Sequence, residues 1–558
     1  MLSYIKRFFN TNLSFLIILM VVIFSLYGKV INFEALFFDD NQMITNNMSY
    51  VSSIKNIPNL FLQDCYYSNN HNYYRPILTL SFALETIIFG YNTKIYHFTN
   101  VILFILSFYL MFIFLAKLNL NKNISKLILL LFSVHPILMS LPAWIAARND
   151  TLITIFVLLF FISFLNYIKT NKQIYRILYY LFFAIALLTK ETGIAIIPVY
   201  LLFLCFYDIR ITKKQLLTDF SFFIIITFIY FIFRNLSIGK TILNIFNFKT
   251  ILTNCFHEFL IYNKKMFIPE HIPIVLYTAK INISSLSISF FMFIALLFAF
   301  VKKIIPRRKL IFGLFWFLIF LIPTFFTVKE QILFHRLMLP FFGIYIILIT
   351  LIEQIIIKHP NLKKYFIIFY VILFFTLSYS SYIQCDKYHD NTVFTLNFYL
   401  DSKESTNYLA LLDLLIENGN LNEAKKILSE RVKEGASVDE MFYLAKLFFA
   451  YGDFEQAENI CLLVEKVLSP QEKHNIFVLL SEIYYIKEQY DKAYEYIKEA
   501  YKTNPHSTNI LKQFARIAEK TEIAQALDIY KRLSEIDKSN KEYKNKISLL
   551  EQELKKID

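Results

Sequence analysis

The sequence predicts an all-α protein in two parts: a polytopic helical membrane domain, then a soluble solenoid of helical repeats. Three observations carry this. Hydrophobic residues fill 56% of 558 positions and charged residues only 18%, against about 25% charge in soluble domains. Mean hydropathy is +0.48. The bias is also uneven. Residues 1–385 are rich in Phe, Ile and Leu, whereas 405–558 are rich in Glu, Lys and Ala and repeat internally, with 386–404 reading as a linker.

A helix needs roughly 20 apolar residues to cross a bilayer. The first candidate, Leu13–Ile31, follows Lys6 and Arg7 and has no small-residue cleavage site after it, as expected of an uncleaved anchor. A polar loop, 32–75, comes next. Ile77–Phe89 is apolar but short and reads as interfacial or re-entrant. Further candidates are Tyr96–Leu118, Ile124–Leu141, Thr151–Ile168, Tyr175–Leu188, Gly193–Tyr207, Phe220–Phe233, Ser285–Val301, Leu310–Thr327, Leu337–Ile357 and Tyr365–Tyr382. The expected total is about 11 spans.

Basic residues orient the chain. With the N-terminus cytoplasmic, the inner loops carry Lys117/Lys122/Lys126, Lys169/Lys172/Arg176, Arg210/Lys213/Lys214, Lys302/Lys303/Arg307/Arg308/Lys309 and Lys358/Lys363/Lys364. The opposite turns hold only Arg148, Lys190, Lys329 and Arg336. An odd span count then puts the C-terminal repeats on the extracytoplasmic side, the periplasm of a bacterial inner membrane by composition, or the ER lumen in a eukaryote. The net charge of +14 is therefore a loop property and does not point to nucleic acid. The 5 cysteines are far apart, with no CxxC, which excludes a zinc-type spacing and a disulfide framework.

The tail repeats with tetratricopeptide spacing. Leu480, Tyr484, Ala493, Ile497, Ala500 and Pro505 define one unit. Matching positions recur at Leu444, Phe448, Gly452, Ala457 and Cys461, at Leu411, Leu415, Gly419, Ala424 and Leu428, and more weakly at Ala526, Tyr530 and Leu533. The expected repeats are 405–437, 438–473, 474–507 and 508–540, closed by a polar capping helix, Lys541–Lys556. Stacked repeats offer a concave surface for a polypeptide.

Ionisable residues near membrane depth are costly and often functional, and here they gather on one expected face. Asp39-Asp40 follows the first span: a general base or metal ligand, or simply a helix N-cap. Arg148-Asn149-Asp150 opens a span, where Asp150 suits a cap and Arg148 suits snorkelling. Lys190-Glu191 forms a tight turn that an interfacial ion pair would also explain. His335-Arg336 enters a span, as an anchor or as a guanidinium for a lipid phosphate. His71, His97, His135 and His271 lack ligand spacing. A carboxylate base beside cationic phosphate binders suits sugar transfer from a lipid phosphate, and equally a transporter or a phospholipid hydrolase.

Read in order, Phe38-Asp39-Asp40 with Asn46-Asn47, Tyr74-Arg75-Pro76-Ile77-Leu78-Thr79-Leu80-Ser81-Phe82, Tyr96-His97-Phe98-Thr99-Asn100, His135-Pro136-Ile137, Ala147-Arg148-Asn149-Asp150, Thr189-Lys190-Glu191-Thr192-Gly193 and His335-Arg336-Leu337-Met338-Leu339-Pro340, ending in the repeats, form a set. It resembles the transmembrane and tetratricopeptide-repeat O-mannosyltransferases of the C-type glycosyltransferase superfamily. This chain has Ala-Arg-Asn-Asp where that family more often has Gly-Arg-Ala-Asp. The resemblance implies an inverting transfer of a mannose-like sugar from a polyprenyl phosphate to an acceptor hydroxyl, with Ser or Thr of a polypeptide as acceptor. It implies Asp39 as base and Asp40 as its orienting partner or a metal ligand. Arg336 and Lys190 would bind phosphate, joined by Arg75 and Arg148, while Asp150, Glu191 and His97 would shape the site. No cofactor is demanded, and a divalent cation stays open. Lys264–Tyr277 is expected to line a lipid-tail groove. The alternatives are a non-catalytic membrane-anchored repeat scaffold, and a ligase or flippase for lipid-linked oligosaccharide.

Overall fold

The computed structural model describes residues 11–36, 39–67, 73–207, 209, 211–238, 248–277, 283–326 and 331–402, and in the tail 409, 411–413, 415–416, 419–432, 438–466, 468, 473–505, 507–536 and 541–557. Lys6, Arg7, Phe37, Phe38, His71, Arg210 and Lys329, and parts of the first expected repeat, lie outside them. The chain divides into two compact units, Met1–Ser402 and Lys403–Asp558.

The first unit is a helix bundle: α1 (Asn12–Tyr27), α2 (Pro76–Phe89), α3 (Thr93–Lys117), α4 (Lys122–Ser133), α5 (Arg148–Thr170), α6 (Gln173–Thr189), α7 (Ile196–Phe206), α8 (Lys213–Ile238), α9 (Phe248–Phe267), α10 (Ile283–Val301), α11 (Arg307–Leu321), α12 (Phe341–Lys358), α13 (Lys363–Gln384) and α14 (Asn391–Ser402). Short side chains start several of them. Asn92 and Asn121 accept backbone N–H bonds from the first turns of α3 and α4, which satisfies otherwise orphaned donors.

Among the described residues, 7 helical stretches are long and apolar enough to cross a membrane, or 8 if one bent pair is a single span. That is fewer than the 11 expected, for local reasons. Ile124–Leu141 is broken by 65° between Lys122–Ser133 and Pro136–Ala143. Pro136 has no N–H to continue α4, and the His135 ring accepts the Ile137 N–H at 3.2 Å, starting a new turn in a new direction. Pro76–Phe89, Gln173–Thr189 and Glu191–Phe206 are apolar but short. The 17 residues of α6 reach only about 26 Å at 1.5 Å per residue, against a hydrocarbon core of about 30 Å.

Burial identifies the centre. The span containing α5 is 67% buried, whereas those of α8 and α10 are 17% buried and that of α13 is 11%. So α5 is the axis, and α8, α10 and α13 keep most of their apolar surface for lipid. Around the axis the core is aromatic: Phe114 stacks on Phe342 at 4.9 Å and on Phe161 at 5.7 Å. Helices α11 and α12 cross with backbones touching at Gly313 and Gly343, where a Cβ on Gly313 would lie 2.6 Å from the Gly343 carbonyl.

Two features replace expectations. Residues 386–402 are no loose linker: Cys385–Tyr388 forms a 3-10 turn, and α14 follows it within the first unit, with Phe394 buried against Trp144 and Tyr388. Nor does Lys264–Tyr277 line an open groove. Ile272, Ile274 and Val275 are buried. The segment is strapped by Gln384 Oε1 accepting from Ile272 N (2.7 Å), Lys387 Nζ donating to Ile272 O (2.8 Å) and Asp401 Oδ2 accepting from Ile274 N (2.7 Å). It ends in strand β1 (Leu276–Tyr277), which pairs antiparallel with β2 (Gln331–Ile332).

The second unit is built of antiparallel helix pairs: Val438–Ala450 with Phe454–Glu465, His474–Ile486 with Tyr490–Thr503, and Thr508–Thr521 with Ile523–Ile536, then Lys541–Ile557. Ala457, Cys461, Ala493, Ile497, Ala500 and Ala526 are fully buried at the seams. Three turns of the tail share one conformation: Gly419, Gly452 and Glu488 have positive φ, 73°, 81° and 60°, the region where glycine is least strained, whereas the last pair turns at Glu522 with φ of −135°. Ion pairs link neighbouring repeats, among them Lys487–Glu458 and Arg516–Glu482.

Candidate active site

The residues singled out in the sequence converge on one end of the bundle. The short helix Asp39–Met43 brings the carboxylate pair there. Arg75 precedes α2, Arg148 and Asp150 start α5, Lys190 ends α6, and His335-Arg336 sits in the turn before α12.

Asp39 is half-buried, and its Oδ1 accepts the Tyr66 hydroxyl at 3.0 Å. Asp40 is different. It is 1% exposed, its Oδ2 accepts the Leu36 N–H at 3.0 Å and its Oδ1 accepts the Ala146 N–H at 2.8 Å. Both oxygens are thus committed to backbone, which pins the first loop to the start of α5. Burial pushes its carboxyl up to about 7, reinforced by the charge of Asp39 and partly offset by the two backbone hydrogen bonds and by Arg148. Asp40 is neither an N-cap nor an open metal ligand but a structural clamp.

Arg148 also departs from expectation. It is fully buried and held within the fold: Nε donates to Asn100 Oδ1 (2.7 Å), Nη1 to Ser81 Oγ (3.1 Å) and Nη2 to the Tyr96 carbonyl (2.9 Å), and Nη1 pairs with Glu85 Oε2 (3.0 Å). The guanidinium also lies 4.5 Å over the Phe82 ring. It ties α2, α3 and α5 together, and the side chain is 0% exposed. His97 is a packing residue too, fully buried with Nε2 at 3.3 Å from the Glu34 carbonyl.

The remaining residues form one electrostatic cluster. Arg75 meets Glu191 through Nη2–Oε1 at 2.9 Å and Nε–Oε2 at 3.4 Å, and packs 4.6 Å over the Tyr73 ring. Lys190 Nζ donates to Asp150 Oδ1 at 2.7 Å, and His335 Nε2 stands 3.7 Å from Asp150 Oδ2. Burial pushes His335 down to about 3, so the imidazole is neutral. Arg336 acts electrostatically on Asp150, Lys190 and His335. Arg75, Asp39 and Glu191 all act on Cys65, which joins the two halves of the cluster. The turn carrying Lys190 and Glu191 is folded hard against α6: a Cβ on Gly193 would lie 2.8 Å from backbone atoms of Ala186 and Leu187. Among the described residues no group of three or more His, Cys, Asp or Glu side chains is arranged to hold a metal.

Sequence reasoning missed Glu85 and Tyr66. Glu85 had a signal, a carboxylate inside an apolar helix that must find a buried cation. Tyr66 had none. A third missed group lies away from this cluster. Asp219, fully buried on α8, accepts the hydroxyls of Tyr179 (2.8 Å), Tyr180 (2.5 Å) and Tyr200 (2.7 Å) and pairs with Arg176 at 3.2 Å. It locks α6, α7 and α8 together.

Fold and site define a class: a polytopic helical membrane protein with an acid–cation cluster at one end of its bundle and a helical-repeat tail. Comparison with known proteins narrows it. The chain is similar to the protein O-mannosyl-transferase TMTC1 of Mus musculus, 33% identical over 150 residues, covering 24% of this chain and 16% of that protein. It is similar to TMTC3 of Homo sapiens, 28% identical over 215 residues, covering 37% and 22%, and to TMTC2 of Homo sapiens, 27% identical over 200 residues, covering 32% and 23%. The chain is thus a relative of the transmembrane and tetratricopeptide-repeat O-mannosyltransferases, and the match spans under a quarter of the length of these curated relatives. No family model and no solved structure matches it.

Proposed function

We propose that this chain is an integral-membrane glycosyltransferase that moves a mannose-like sugar from a polyprenyl phosphate to a hydroxyl of an acceptor polypeptide on the extracytoplasmic face. The observation that carries this is the proximity of a half-buried, hydrogen-bonded carboxylate, Asp39, to a cluster of cations paired with buried Asp150 and exposed Glu191.

In the proposed reaction the acceptor oxygen bonds to the anomeric carbon as its proton passes to Asp39. The bond from that carbon to the phosphate oxygen breaks on the opposite face, so the configuration inverts and a polyprenyl monophosphate leaves. Lys190 and Arg336 neutralise the charge that grows on the phosphate, where fixed charges act most strongly. Arg75 and Glu191 hold the neighbouring wall.

An apolar groove of about 460 Å³ runs between α7 and α11, lined by Pro198, Leu201, Cys205, Phe315, Leu318 and Ile322. Helix α7 continues directly from the 3-10 turn Glu191–Ala195 beside Lys190. This supports a donor with a long apolar tail and a charged head, and moves the expected tail groove away from Lys264–Tyr277. The helical repeats would present the acceptor polypeptide.

The test is transfer of radiolabelled mannose from dolichyl or undecaprenyl phosphate to cell-envelope protein by purified wild type and Asp39→Asn. Label on polypeptide with wild type alone supports the reading. Label on glycan changes the acceptor, and equal transfer by both proteins refutes Asp39 as the base.

A further inference from the structure

Tyr66 makes the hydrogen bond to Asp39 that the sequence did not predict. We propose that Tyr66 is a positioning residue that fixes the Asp39 carboxylate in one orientation and favours its ionised form. This rests on the reading of Asp39 as the base.

The phenol donates to Asp39 Oδ1 at 3.0 Å from a turn that is itself held rigidly. Asp64, 1% exposed, accepts the Tyr66 N–H on Oδ1 at 2.7 Å, and its carbonyl accepts the Tyr67 N–H at 3.3 Å. Tyr67 has φ of 58°, so the chain reverses there. The Cys65 N–H donates to the Tyr73 carbonyl at 2.9 Å, and the Tyr66 and Tyr73 rings meet edge to face at 6.4 Å. Arg75 then covers Tyr73. The backbone of Asp39 is fixed in the same way by its neighbour Asp40, clamped to Leu36 and Ala146. One residue thus anchors the main chain of the base, and another holds its side chain.

The chemistry follows from this geometry. Burial and the charge of Asp39 push the Tyr66 phenol well above its usual range, so it stays a donor. A hydrogen bond given to a carboxylate favours the charged form and is stronger than a neutral one. It works against Asp40, the like-charged neighbour on the same short helix. The other titratable groups around the turn are Cys65 and Asp64 within it, and Arg75 with Glu191 opposite. The Tyr66 hydroxyl donates directly to the Asp39 carboxylate.

Two measurements on the full chain in nanodiscs test this. Infrared titration of the carboxyl C=O band reads Asp39 without any substrate; the band lost in Asp39→Asn identifies it. In Tyr66→Phe, which keeps the ring, the band should titrate about one pH unit higher. In the transfer assay with polyprenyl-phosphate mannose, kcat for Tyr66→Phe should fall about tenfold, the loss of one charge-assisted hydrogen bond. The acidic limb of the pH–rate profile should move up, KM for the donor should stay, and adding Tyr66→Phe to Asp39→Asn should change nothing further. An unmoved infrared midpoint, or a lowered melting temperature together with loss of donor binding in Tyr66→Phe, overturns the proposal. Full transfer by Asp39→Asn overturns the base assignment instead, and is recognisable because the infrared shift would persist.

Discussion

Replacing Glu85 by Gln should destabilise the membrane unit far more than a typical substitution on a membrane helix. Glu85 is the carboxylate partner of Arg148, whose side chain is fully buried; their contact is 3.0 Å, and the Glu85 side chain is itself only 12% exposed. Removing the negative charge leaves a guanidinium in a low-dielectric interior with Asn100, Ser81 and the Tyr96 carbonyl as neutral partners. Breaking one member of such a pair costs about 3–5 kcal/mol. Arg148→Met should cost a similar amount, because it strands the Glu85 carboxylate and uncovers acceptors. The pair Glu85→Leu with Arg148→Met should cost at least ~1 kcal/mol less than the sum of the single changes, since partners in one network are not additive. Reversible unfolding in mixed micelles would measure all of these. If Glu85→Gln unfolds within about 0.5 kcal/mol of wild type, while Arg148→Met abolishes binding of polyprenyl-phosphate mannose, then Arg148 contacts the donor and the structural reading is refuted.

Other consequences follow from single contacts. Asp40 has a folded value near 7, above the ordinary carboxyl value of about 4. The folded state therefore holds its proton more tightly, and this contribution to stability is present at low pH and lost as pH rises toward 7. Asp40→Asn should flatten that slope between about pH 4 and 7. It should also cost about 1–3 kcal/mol, because the amide sets an NH₂ against a backbone N–H, as read by melting curves at several pH values. Gly193→Ala drives a methyl into the α6 backbone. It should cost about 1–3 kcal/mol and shift Lys190, seen as a higher KM for the donor with the protein still folded. Asp219→Asn removes the charge facing Arg176 and three phenols. It should lower the melting temperature, while the α5 end of the cluster retains its infrared carboxyl bands.

The architecture and the membership of the cluster were legible in the sequence, and the pairings within it were not. Ala493, Ile497 and Ala500 are fully buried because a helix pair needs small residues where its axes approach, and a fixed repeat length makes that demand periodic. Ionisable residues at the ends of apolar spans stand out because lipid tolerates few of them. Partnership leaves no local trace: Arg75 finds Glu191 across 116 positions, and Arg148 finds Ser81 across 67. The described long spans are fewer than the apolar windows of the sequence where a window cannot see a break, as at His135-Pro136, or where α6 and α7 are each short. Residues 386–404 looked like a linker because their charge is mixed, yet the apolar face of α14 is folded onto Trp144 and Tyr388.

The pairing itself bears on how such a site would work. Three cations at this end of the bundle are matched to carboxylates: Arg75 to Glu191 and Lys190 to Asp150 in the cluster, and Arg148 to Glu85 beside it. Unpaired, each would be expensive to bury. Arg75 and Glu191 share Cys65 as a neighbour with Asp39, Lys190 faces Arg336, and Glu191 keeps 46% of its side chain exposed while Arg148 and Glu85 are closed in. In the proposed reaction the donor is a phosphodiester with one negative charge and the leaving group a phosphomonoester that gains a second. Cations already shared with Asp150 and Glu191 attract the single charge weakly, and the attraction rises as the second charge develops. Binding that strengthens along the reaction coordinate is what accelerates chemistry, whereas tight binding of the donor alone would not. On this argument Asp150→Asn, by releasing Lys190 from its acid, should tighten donor binding and slow transfer together. A variant that bound more weakly and turned over faster would contradict it.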